Sequence, residues 1–524
     1  MHPRWTRKNK KMKLVTAEQM RSLDSAAINT FRVPSLDLME NAGGRTVEVM
    51  LEKFGDPQGR RFAIFVGPGN NGGDGLVIAR LLAARLARPT VFLLVPAVKL
   101  KGDSALNLSR LKEFPVTIIE VSDTAQLDAA AEILGDCQAV VDAVFGTGLT
   151  RNVAGIFATA IDLINNAPCP VVAVDIASGL NSDTGRIMGR CVQADFTVTF
   201  GQAKIGQVVY PGREFTGYLK VVDIGIPEAA VAEADLHLER IGSETGKWLP
   251  PRTPTAHKGT YGHLLILAGS TGKTGAALLC GLGALRAGTG LVSLCVPYDL
   301  NHIFEASLWE AMTIPLRSAA KGILSIEDYR VIRGALQDKK ALAIGPGIGT
   351  AEETAELMLK LYTEVEIPML VDADGLNILA AETELLKKAP GPRILTPHPG
   401  EMARLAGLAT AQIQEDRIAV ALEFAQKHGI HLVLKGADTM VCDPEGRLAV
   451  NSSGNAGMAC GGMGDVLSGI IGGFLAQGLP PWQAGCLGVF SHGMAADRLA
   501  AETGAGYLAS EVAHELPYIL HDMR

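Results

Sequence analysis

The segment RFAIFVGPGNNGGDGLVIARLLAARL, residues 61–86, decides the fold of the first part of this chain. It begins with the apolar run 61–66, passes through the glycine-rich turn 67–75 and ends in residues 76–86, where apolar positions recur with a helical period. A strand that leads through a tight glycine turn into a helix is the first half of a βαβ unit. The segment therefore predicts a parallel sheet with a ligand site at the carboxyl end of its first strand.

The same alternation continues to residue 226 and resumes after the proline-rich linker LPPRTP at 249–254. We therefore predict an α/β protein with two doubly wound αβα domains, residues 14–240 and residues 241–524. The 59 glycines in 524 residues exceed the usual share of about 7% and agree with many tight turns. The predicted strands are 62–67, 90–96, 139–145, 170–176, 195–200 and 219–224 in the first domain, and 263–268, 291–297, 341–345, 368–373, 393–396 and 431–435 in the second.

Charge and cysteine usage exclude several classes of protein. With 48 Lys and Arg against 55 Asp and Glu, the net charge of −7 lacks the basic field that binding to nucleic acid requires. The eight cysteines show no C-x-x-C pair, which favours a reducing cytoplasm over a disulfide framework or a zinc site. Residues 1–13 are basic, and we expect a disordered tail there; the sequence leaves open whether Met12 is the start of translation.

One long uncharged stretch, residues 466–496, could be mistaken for a membrane span. It is interrupted by GLPPWQ at 478–483, and two adjacent prolines cannot continue a helix. The stretch therefore predicts two buried helices joined by a loop, and no membrane partner.

Polar residues at the predicted carboxyl edge of the first sheet indicate a ligand site. Asp142 lies inside an apolar strand, where a carboxylate is costly unless it is paired, hydrogen-bonded or bound to a cation. Asp175 ends another strand, and the turn 67–75 adds Asn70, Asn71 and Asp74, which a simple phosphate loop does not need. The turn also contains a G-x-G-x-x-G match at Gly67, Gly69 and Gly72, but no acid closes the next strand, which argues against an ordinary dehydrogenase. Each residue taken alone also fits a turn cap.

In this order, GPGNNGGDG (67–75), VDAVFGTG (141–148) and VDIASGLNSDTG (174–185) resemble the epimerase domain of bifunctional NAD(P)H-hydrate repair enzymes. The resemblance covers about residues 14–225 and implies a Rossmann-like domain that interconverts the R and S hydrates of NADH and NADPH at C6, with Asp175 transferring the proton. The implied potassium ligands are Asn71, Asp142 and Ser178. The implied substrate residues are Asn70, Asn71, Gly72, Gly73, Asp74, Gly146, Thr147, Gly148, Leu149, Thr150, Arg151, Asn152 and Asp175.

The second domain carries an isolated carboxylate. Asp465 is the only Asp, Glu, Lys or Arg between Arg447 and Asp497, and it follows a glycine-rich run at the start of an apolar helix. Free N–H groups and the helix dipole attract an anion at such a position, and glycines let a phosphate approach the backbone. A simple helix cap is the alternative. The loop GSTGKTG (269–275) is no Walker A motif, because Leu267 stands where that motif has glycine.

Six ordered motifs between residues 269 and 465, namely GSTGKTGAA, GPGIG, VDADGLN, TPHPGE, KGADT and GGMGD, resemble the ribokinase-like ADP/ATP-dependent NAD(P)H-hydrate dehydratases. The resemblance implies that the domain phosphorylates the C6 hydroxyl of the S hydrate, using ADP or ATP with Mg²⁺ and Asp465 as the base, and then eliminates phosphate. The implied substrate residues are Ala276, Gly347, His398 and Asp465. The implied nucleotide-binding residues are Lys435, Gly436, Ala437, Asp438, Thr439 and Gly464.

The two resemblances together predict a bifunctional repair enzyme whose partners are NADHX, NADPHX and ADP or ATP. The alternative is a ribokinase-like small-molecule kinase fused to a metabolite-binding module. We also expect a homo-oligomer, although the sequence does not give the number of subunits. It gives neither the preference between ADP and ATP, nor that between NADHX and NADPHX, nor whether the two sites communicate.

Overall fold

The computed structural model describes residues 12–317 and 322–524, which form two units, Met12–Leu238 and Glu239–Arg524. The predicted tail lies outside the described residues except for Met12 and Lys13. These two residues belong to a β-strand rather than to a disordered tail, and Lys13 Nζ donates to the carbonyl of Leu236 at 2.6 Å. None of the helices in the described ranges is long and apolar enough to cross a membrane.

Strands and helices alternate through most of the first unit. Its strands are β1 (Met12–Val15), β2 (Arg61–Val66), β3 (Arg88–Leu93), β4 (Thr117–Glu120), β5 (Cys137–Ala143), β6 (Val171–Val174), β7 (Phe196–Phe200), β8 (Ala203–Lys204) and β9 (Tyr218–Val222). Its α-helices are α1 (Ala17–Ser25), α2 (Ser35–Phe54), α3 (Asn70–Ala83), α4 (Gly102–Leu111), α5 (Thr124–Leu134), α6 (Ile156–Asn165), α7 (Gly212–Thr216) and α8 (Glu228–Glu233). Seven strands form one parallel sheet in the order β4-β3-β2-β5-β6-β7-β9, and β1 pairs with β8.

Both faces of this sheet are buried. In β2, Ile64 and Val66 belong to a core shared with α2, α3 and α4, whereas Ala63 and Phe65 belong to a second core shared with α5 and α6. A strand buried on both faces has an unbroken apolar sequence instead of an alternating one. The arrangement confirms the predicted three-layer αβα domain.

The strand order reverses between β2 and β5. The chain passes from β2 outward to β3 and β4 and then returns to place β5 on the other side of β2, and open α/β sheets bind ligands at such a reversal. The turns that follow β2 and β5 touch, since a Cβ on Gly67 would lie 1.9 Å from the carbonyl oxygen of Val144. The apolar period predicts a helix from Leu76, but α3 begins at Asn70, because Gly72 lets the first turn of the helix lie against the Gly67 carbonyl.

The second unit repeats this plan. Its strands are β10 (Leu238–Ile241), β11 (His263–Leu267), β12 (Leu291–Pro297), β13 (Met312–Leu316), β14 (Ala341–Ile344), β15 (Met369–Val371), β16 (Arg393–Leu395), β17 (His431–Leu434), β18 (Met440–Cys442) and β19 (Leu448–Asn451). Its α-helices are α9 (Thr274–Arg286), α10 (Asn301–Ser307), α11 (Tyr329–Ala335), α12 (Glu352–Glu364), α13 (Asp374–Ala380), α14 (Pro399–Ala406), α15 (Thr410–Glu415), α16 (Arg417–His428), α17 (Met463–Ala476), α18 (Pro481–Thr503) and α19 (Ala509–Asp522).

Its sheet runs β13-β12-β11-β14-β15-β16-β17-β18-β19, parallel up to β17 and antiparallel beyond it. The order again reverses at β11, between β11 and β14. Helices α9, α17, α18 and α19 cover one face, and α16 packs against β17 and β18. The uncharged stretch forms the two predicted buried helices, α17 and α18.

Candidate active sites

Asp142 and Ser178 bind each other at the carboxyl edge of the first sheet. The Asp142 side chain, near the end of β5, is fully buried. Its Oδ1 accepts a hydrogen bond from Ser178 Oγ at 2.6 Å, and its Oδ2 accepts one from the Ser178 backbone N–H at 2.7 Å. Burial raises the pKa of Asp142 to about 6, although the hydrogen bonds from Ser178 oppose that shift.

Asn71 is the third residue that the resemblance implies as a potassium ligand. Its amide nitrogen donates to the Phe145 carbonyl at 3.0 Å, while its Oδ1 is buried without a partner in the described chain. Ser178 Oγ accepts from the Phe145 backbone N–H at 2.8 Å, so Asn71 and Ser178 both bind the backbone of Phe145, and Ser178 also binds Asp142. A buried unpaired amide oxygen and a buried carboxylate that share these contacts fit a hard monovalent cation such as potassium.

The residues implied to hold the epimerase substrate lie on two facing segments. Asn70, Asn71, Gly72, Gly73 and Asp74 form the first turns of α3, and residues 146–152 form the loop after β5. A Cβ on Gly146 would lie 3.5 Å from Cβ of Asn71, so the two segments approach closely.

Asp74 is the one acid in these two segments, and its side chain is buried. Burial raises its pKa well above the usual range, and the negative charges of Asp175 and Asp24 raise it further.

Asp175 is held by three donors on one oxygen. Its Oδ1 accepts from Thr199 Oγ1 at 3.1 Å, from the Phe200 backbone N–H at 3.2 Å and from Lys204 Nζ. The Asp175 backbone lies in the left-handed region with φ of 63°, a strained conformation that clusters at functional sites. Because Oδ1 is occupied, Oδ2 is the oxygen left for a ligand.

Lys204 and Asp24 were not predicted as part of this site. The Lys204 side chain has no exposed surface and also donates to Thr199 Oγ1 at 2.9 Å and to the Phe200 carbonyl at 3.2 Å. Burial raises the pKa of Asp24 to about 6, Lys204 lowers it and Asp175 raises it, which places all three groups together. The one signal in the sequence was a lysine inside the otherwise uncharged stretch 201–209.

A pocket of about 470 Å³ opens at the carboxyl edge of the second sheet. It brings together three of the implied substrate residues, Ala276, Gly347 and Asp465. The other residues that line it are Gly272, Lys273, Gly275, Leu279, Ala373, Asp374, Gly461 and Gly462. Lys273 Nζ donates to Asp374 Oδ2 at 2.8 Å, so the pocket wall carries an ion pair that was not predicted.

Asp465 lies in the first turn of α17, and its side chain reaches this pocket. Burial raises its pKa to about 6; the charge of Asp372 raises it further, and the charge of Lys435 lowers it. Lys435 Nζ itself donates to Asp372 Oδ1 at 2.6 Å. Asp372 belongs to the motif VDADGLN, but the sequence did not identify it as a site residue.

His398 lies at the start of α14, outside the residues that line the pocket. Its Nδ1 accepts from the backbone N–H groups of Gly400 at 3.0 Å and Glu401 at 3.3 Å. Glu401 Oε2 accepts from the His398 backbone N–H at 2.8 Å and is 3.9 Å from Lys435 Nζ, so Glu401 links His398 to Lys435, although none of the three lines the pocket.

The implied nucleotide-binding segment 435–439 connects β17 to β18. Arg417 from α16 holds its backbone, donating to the carbonyls of Leu434 at 3.3 Å and Lys435 at 3.2 Å, and to that of Ala437. Thr439 Oγ1 donates to the Gly436 carbonyl at 3.0 Å. The segment is thus fixed in place, although no sequence pattern indicated a role for Arg417.

Two implied nucleotide residues have further structural features. Asp438 is buried and has φ of 53°, a conformation that glycine adopts more easily. Gly464 lies beside Lys435, because a Cβ there would lie 3.4 Å from Lys435 Nζ.

Comparison with known proteins covers both units. Residues 35–206 match the family model described as YjeF-related protein N-terminus, and residues 264–518 match the model for NAD(P)H-hydrate dehydratase. The chain is 43% identical to the bifunctional NAD(P)H-hydrate repair enzyme of Moorella thermoacetica, over 98% of this chain and 97% of that protein. It is 35% identical to the enzyme of the same name in Escherichia coli, over 96% and 93% of the two chains.

Among solved structures, the second unit is similar to an ADP/ATP-dependent NAD(P)H-hydrate dehydratase from Bacillus subtilis that was crystallised with ATP and Mg²⁺. The identity is 32%, the TM-score is 0.47, and the match covers 54% of this chain and 98% of that one. Full-length identity above 30% to curated relatives, with a family model matched in each unit, establishes that the chain belongs to the bifunctional NAD(P)H-hydrate repair enzymes.

Proposed function

We propose that this chain repairs hydrated nicotinamide nucleotides: the first unit epimerises the R and S hydrates of NADH and NADPH, and the second dehydrates the S form with ADP or ATP. The observation that carries the proposal is the placement of Asp175 and Asp465. Each lies at the carboxyl edge of its own sheet, in a chain similar over its full length to enzymes named for both activities. Joining both activities in one chain makes chemical sense, because the epimerase supplies the form that the dehydratase consumes.

In the first unit, Asp175 would transfer the proton. Its free Oδ2 accepts the proton of the C6 hydroxyl while the C6–N1 bond breaks with its electron pair on N1, and the proton then passes to N1. The resulting C6 aldehyde then rotates, and N1 attacks its opposite face to close the ring. The proton on N1 returns to the C6 oxygen. Lys204 keeps Oδ1 occupied throughout, so a single oxygen carries the proton in both directions.

The potassium ion belongs to this proposal. Asn71, Asp142 and Ser178 would hold it, and its charge would offset that of the buried Asp142 carboxylate and fix the turn at Phe145. Asn71 would supply an amide oxygen to this site, Ser178 a hydroxyl oxygen and Asp142 a carboxylate oxygen.

In the second unit, Asp465 would accept the proton of the C6 hydroxyl as the hydroxyl oxygen attacks the terminal phosphorus of the Mg²⁺-nucleotide. AMP leaves from ADP, or ADP from ATP. The C6–O bond then breaks with phosphate as the leaving group, a proton is lost from C5, and the C5=C6 double bond of the dihydronicotinamide is restored. We assign the substrate to Ala276, Gly347, His398 and Asp465, and the nucleotide to Gly464 and segment 435–439. The N–H groups at the start of α17 face the transferred phosphate.

Two further expectations remain proposals. All eight cysteines are free thiols, which supports a reducing compartment such as the cytoplasm. A homo-oligomer would be tested by sedimentation equilibrium of the purified protein.

The test is to incubate the protein with a mixture of R and S hydrates, with or without nucleotide, and to follow the absorbance of the reduced nicotinamide to completion. We expect complete, nucleotide-dependent recovery. Asp175→Asn should abolish epimerisation and spare dehydration, and Asp465→Asn should do the reverse. Equal loss of both activities from either change would refute the two-site model. A phosphorylated product that is released without dehydration would favour the small-molecule kinase.

A further inference from the structure

We propose that Asp372 is the positioning residue of the dehydratase centre: it holds the Lys435 ammonium against the Gly464–Asp465 turn, where that ammonium stabilises the phosphoryl group in transit. The inference rests on the proposed function of the second unit and deepens it. It assigns a role to the motif VDADGLN, and it changes that of Lys435 from a nucleotide anchor to a group that accelerates transfer.

Asp372 makes the contacts expected of a positioning group. It follows β15 and is 1% exposed. Its Oδ1 accepts from Lys435 Nζ at 2.6 Å, and its Oδ2 accepts from Ser468 Oγ on α17 at 2.6 Å. A buried carboxylate is tolerated only when such partners compensate it. The carboxylate therefore connects the end of β17, which carries Lys435, to the helix that carries the base.

Lys435 lies where charge develops during transfer. A Cβ on Gly464 would be 3.4 Å from Lys435 Nζ and 3.7 Å from Asp372 Oδ2. Since Gly464 has no side chain, the ammonium reaches the first turn of α17, one residue from Asp465. A phosphoryl group at this helix terminus would meet the backbone N–H groups and the ammonium together, an arrangement that stabilises its negative charge.

The orientation of Lys435 distinguishes this role from that of a nucleotide anchor. Its side chain is only 17% exposed, it donates to Asp372, and Glu401 Oε2 is 3.9 Å away. An ammonium fixed between two acids is pre-organised for one position and is not free to follow the nucleotide into solvent. Loss of Asp372 should therefore reduce the rate of transfer more than the affinity for the nucleotide.

The charges around Asp465 give the proposal a distinctive pH signature. Burial raises the pKa of Asp465 to about 6, the negative charge of Asp372 raises it, and the positive charge of Lys435 lowers it. Removing Asp372 and removing Lys435 should therefore shift this pKa in opposite directions.

Other ionisable groups surround this centre. Burial keeps His492 and Cys280 neutral in the working range, because it lowers the pKa of His492 to about 4 and raises that of Cys280 well above its usual range. Asp374 also raises the pKa of Asp465, and Lys273 is bound to Asp374. The groups that face this centre from the surrounding elements are Asp372, Asp374, Lys273, Glu401, Lys435, His492 and Cys280.

The experiment compares full-length wild type, Asp372→Asn, Lys435→Met and Ser468→Ala with the S hydrate, ADP and Mg²⁺ between pH 5 and 9, and measures ADP binding by calorimetry. For Asp372→Asn we expect kcat at least about tenfold lower and ADP affinity within about twofold of wild type. The acid limb of its kcat–pH profile should lie at lower pH than that of wild type, because the charge of Asp372 raises the pKa of Asp465. Lys435→Met should lower kcat by about 10²–10³-fold and shift the acid limb upward. Ser468→Ala keeps every charge and should lower kcat without shifting the limb.

Asp443→Asn is the matched control. Like Asp372, Asp443 is a buried acid in an ion pair, here with Arg447. It lies in the β18–β19 turn and does not line the pocket. Asp443→Asn should therefore lower stability as the loss of a buried carboxylate does, without shifting the acid limb of the kcat–pH profile. If Asp372→Asn fails to fold, Lys435→Met and Ser468→Ala decide the question by the same criteria. Weakened ADP binding with unchanged kcat, or limbs that stay at the wild-type position in both charge variants, would overturn the proposal.

Binding of AMP with and without aluminium fluoride separates this inference from the identity of the substrate. Wild type should bind AMP more tightly with the fluoride, which mimics the phosphoryl group in transit, and Asp372→Asn should lose that gain. If wild type shows this gain in AMP affinity and Asp372→Asn lacks it, the role of the ion pair is supported. That conclusion holds even if the protein does not dehydrate the hydrate. In that case only the proposed function fails. The same gain in both proteins would contradict the ion-pair role.

Discussion

The ammonium group of Lys204 donates a hydrogen bond to Oδ1 of Asp175, and the lysine side chain has no exposed surface. All three of its donors are used, because it also binds Thr199 Oγ1 and the Phe200 carbonyl. A buried ammonium with a single carboxylate partner is a fixed pair, since either group alone would be costly to bury. The pair therefore determines which oxygen of Asp175 meets a ligand.

Lys204→Met should lower the epimerisation rate at least about 100-fold while leaving dehydration of pure S hydrate unchanged. Methionine keeps the length of the side chain but removes the charge and the hydrogen bond to Oδ1, so either oxygen of Asp175 can rotate toward the substrate. Epimerisation would be measured by the exchange of R and S hydrates under chromatography.

The same change breaks a buried pair, which typically costs about 3–5 kcal/mol, so folding of the first unit must be checked by thermal unfolding. Thr199→Val is the milder companion, because it removes one donor to Oδ1 and keeps the charge of Lys204. A folded Lys204→Met protein that epimerises at the wild-type rate would show that the pair has no part in the reaction.

The sequence predicted the interior of both sheets better than their edges. Each predicted strand is present, but the predicted ranges leave out β1, β4, β8, β10, β13, β18 and β19. Of these, β4 and β13 lie at the end of a sheet and are largely unburied, and β13 contains Pro315, so neither has the unbroken apolar run of a central strand. The outermost strand at this end of each sheet was therefore identified only from the structure.

The same limit applies to the sites. Asp142, Asp175 and Asp465 stand out in the sequence because each is a carboxylate in an apolar context. Their partners do not, since Lys204 is 29 residues from Asp175 in the chain, and Lys435 is 63 residues from Asp372. Which cation meets which acid is fixed by strand order, and a single sequence does not show it.

Potassium should stabilise the first unit specifically. The unpaired Oδ1 of Asn71 and the Asp142 carboxylate would bind the ion only in the folded state, and such binding adds about 2.7 kcal/mol when the ion is present at one hundred times its dissociation constant. We expect a higher Tm in KCl than in N-methylglucamine chloride at equal ionic strength, measured by calorimetry.

Asn71→Leu should remove this potassium-specific increase, because it deletes the unpaired oxygen. The transition of the second unit serves as an internal control, since it should respond equally to both salts. An identical Tm of the first unit in the two salts would exclude a potassium site at Asn71.

Gly469→Ala should destabilise the second unit by about 1–3 kcal/mol, the usual cost of overpacking. Helices α9 and α17 approach so closely there that a Cβ on Gly469 would lie 1.9 Å from the Cys280 carbonyl oxygen. Chemical denaturation followed by circular dichroism would measure the change. Gly334→Ala in α11 is the control, because no atom lies within 4 Å of its Cβ position, and it should be neutral or stabilising by about 0.5–1 kcal/mol. Equal effects of both changes would contradict the close helix contact.

Asp465→Asn should stabilise the second unit at neutral pH, although it removes the proposed base. The pKa of Asp465 is about 6 in the folded protein against 3.8 for the unperturbed group. The folded state therefore binds more protons than the unfolded state between these values, so stability falls as pH rises through this window and stays lower above it. An asparagine does not ionise and avoids that cost, which is about 1–3 kcal/mol. The lost attraction to the helix dipole, about 0.3–1 kcal/mol, is smaller.

Thermal unfolding of wild type and Asp465→Asn at pH 7.5 and pH 4.5 would measure this effect. We expect a Tm gain of about 2–4 °C per kcal/mol at pH 7.5, and a clearly smaller gain at pH 4.5, where the wild-type carboxyl is largely protonated. Glu352→Gln is the control, because Glu352 is an exposed acid in the first turn of α12 and should lose a little stability at pH 7.5. A gain for Asp465→Asn that is the same at both pH values would mean that its origin is packing and not the buried charge.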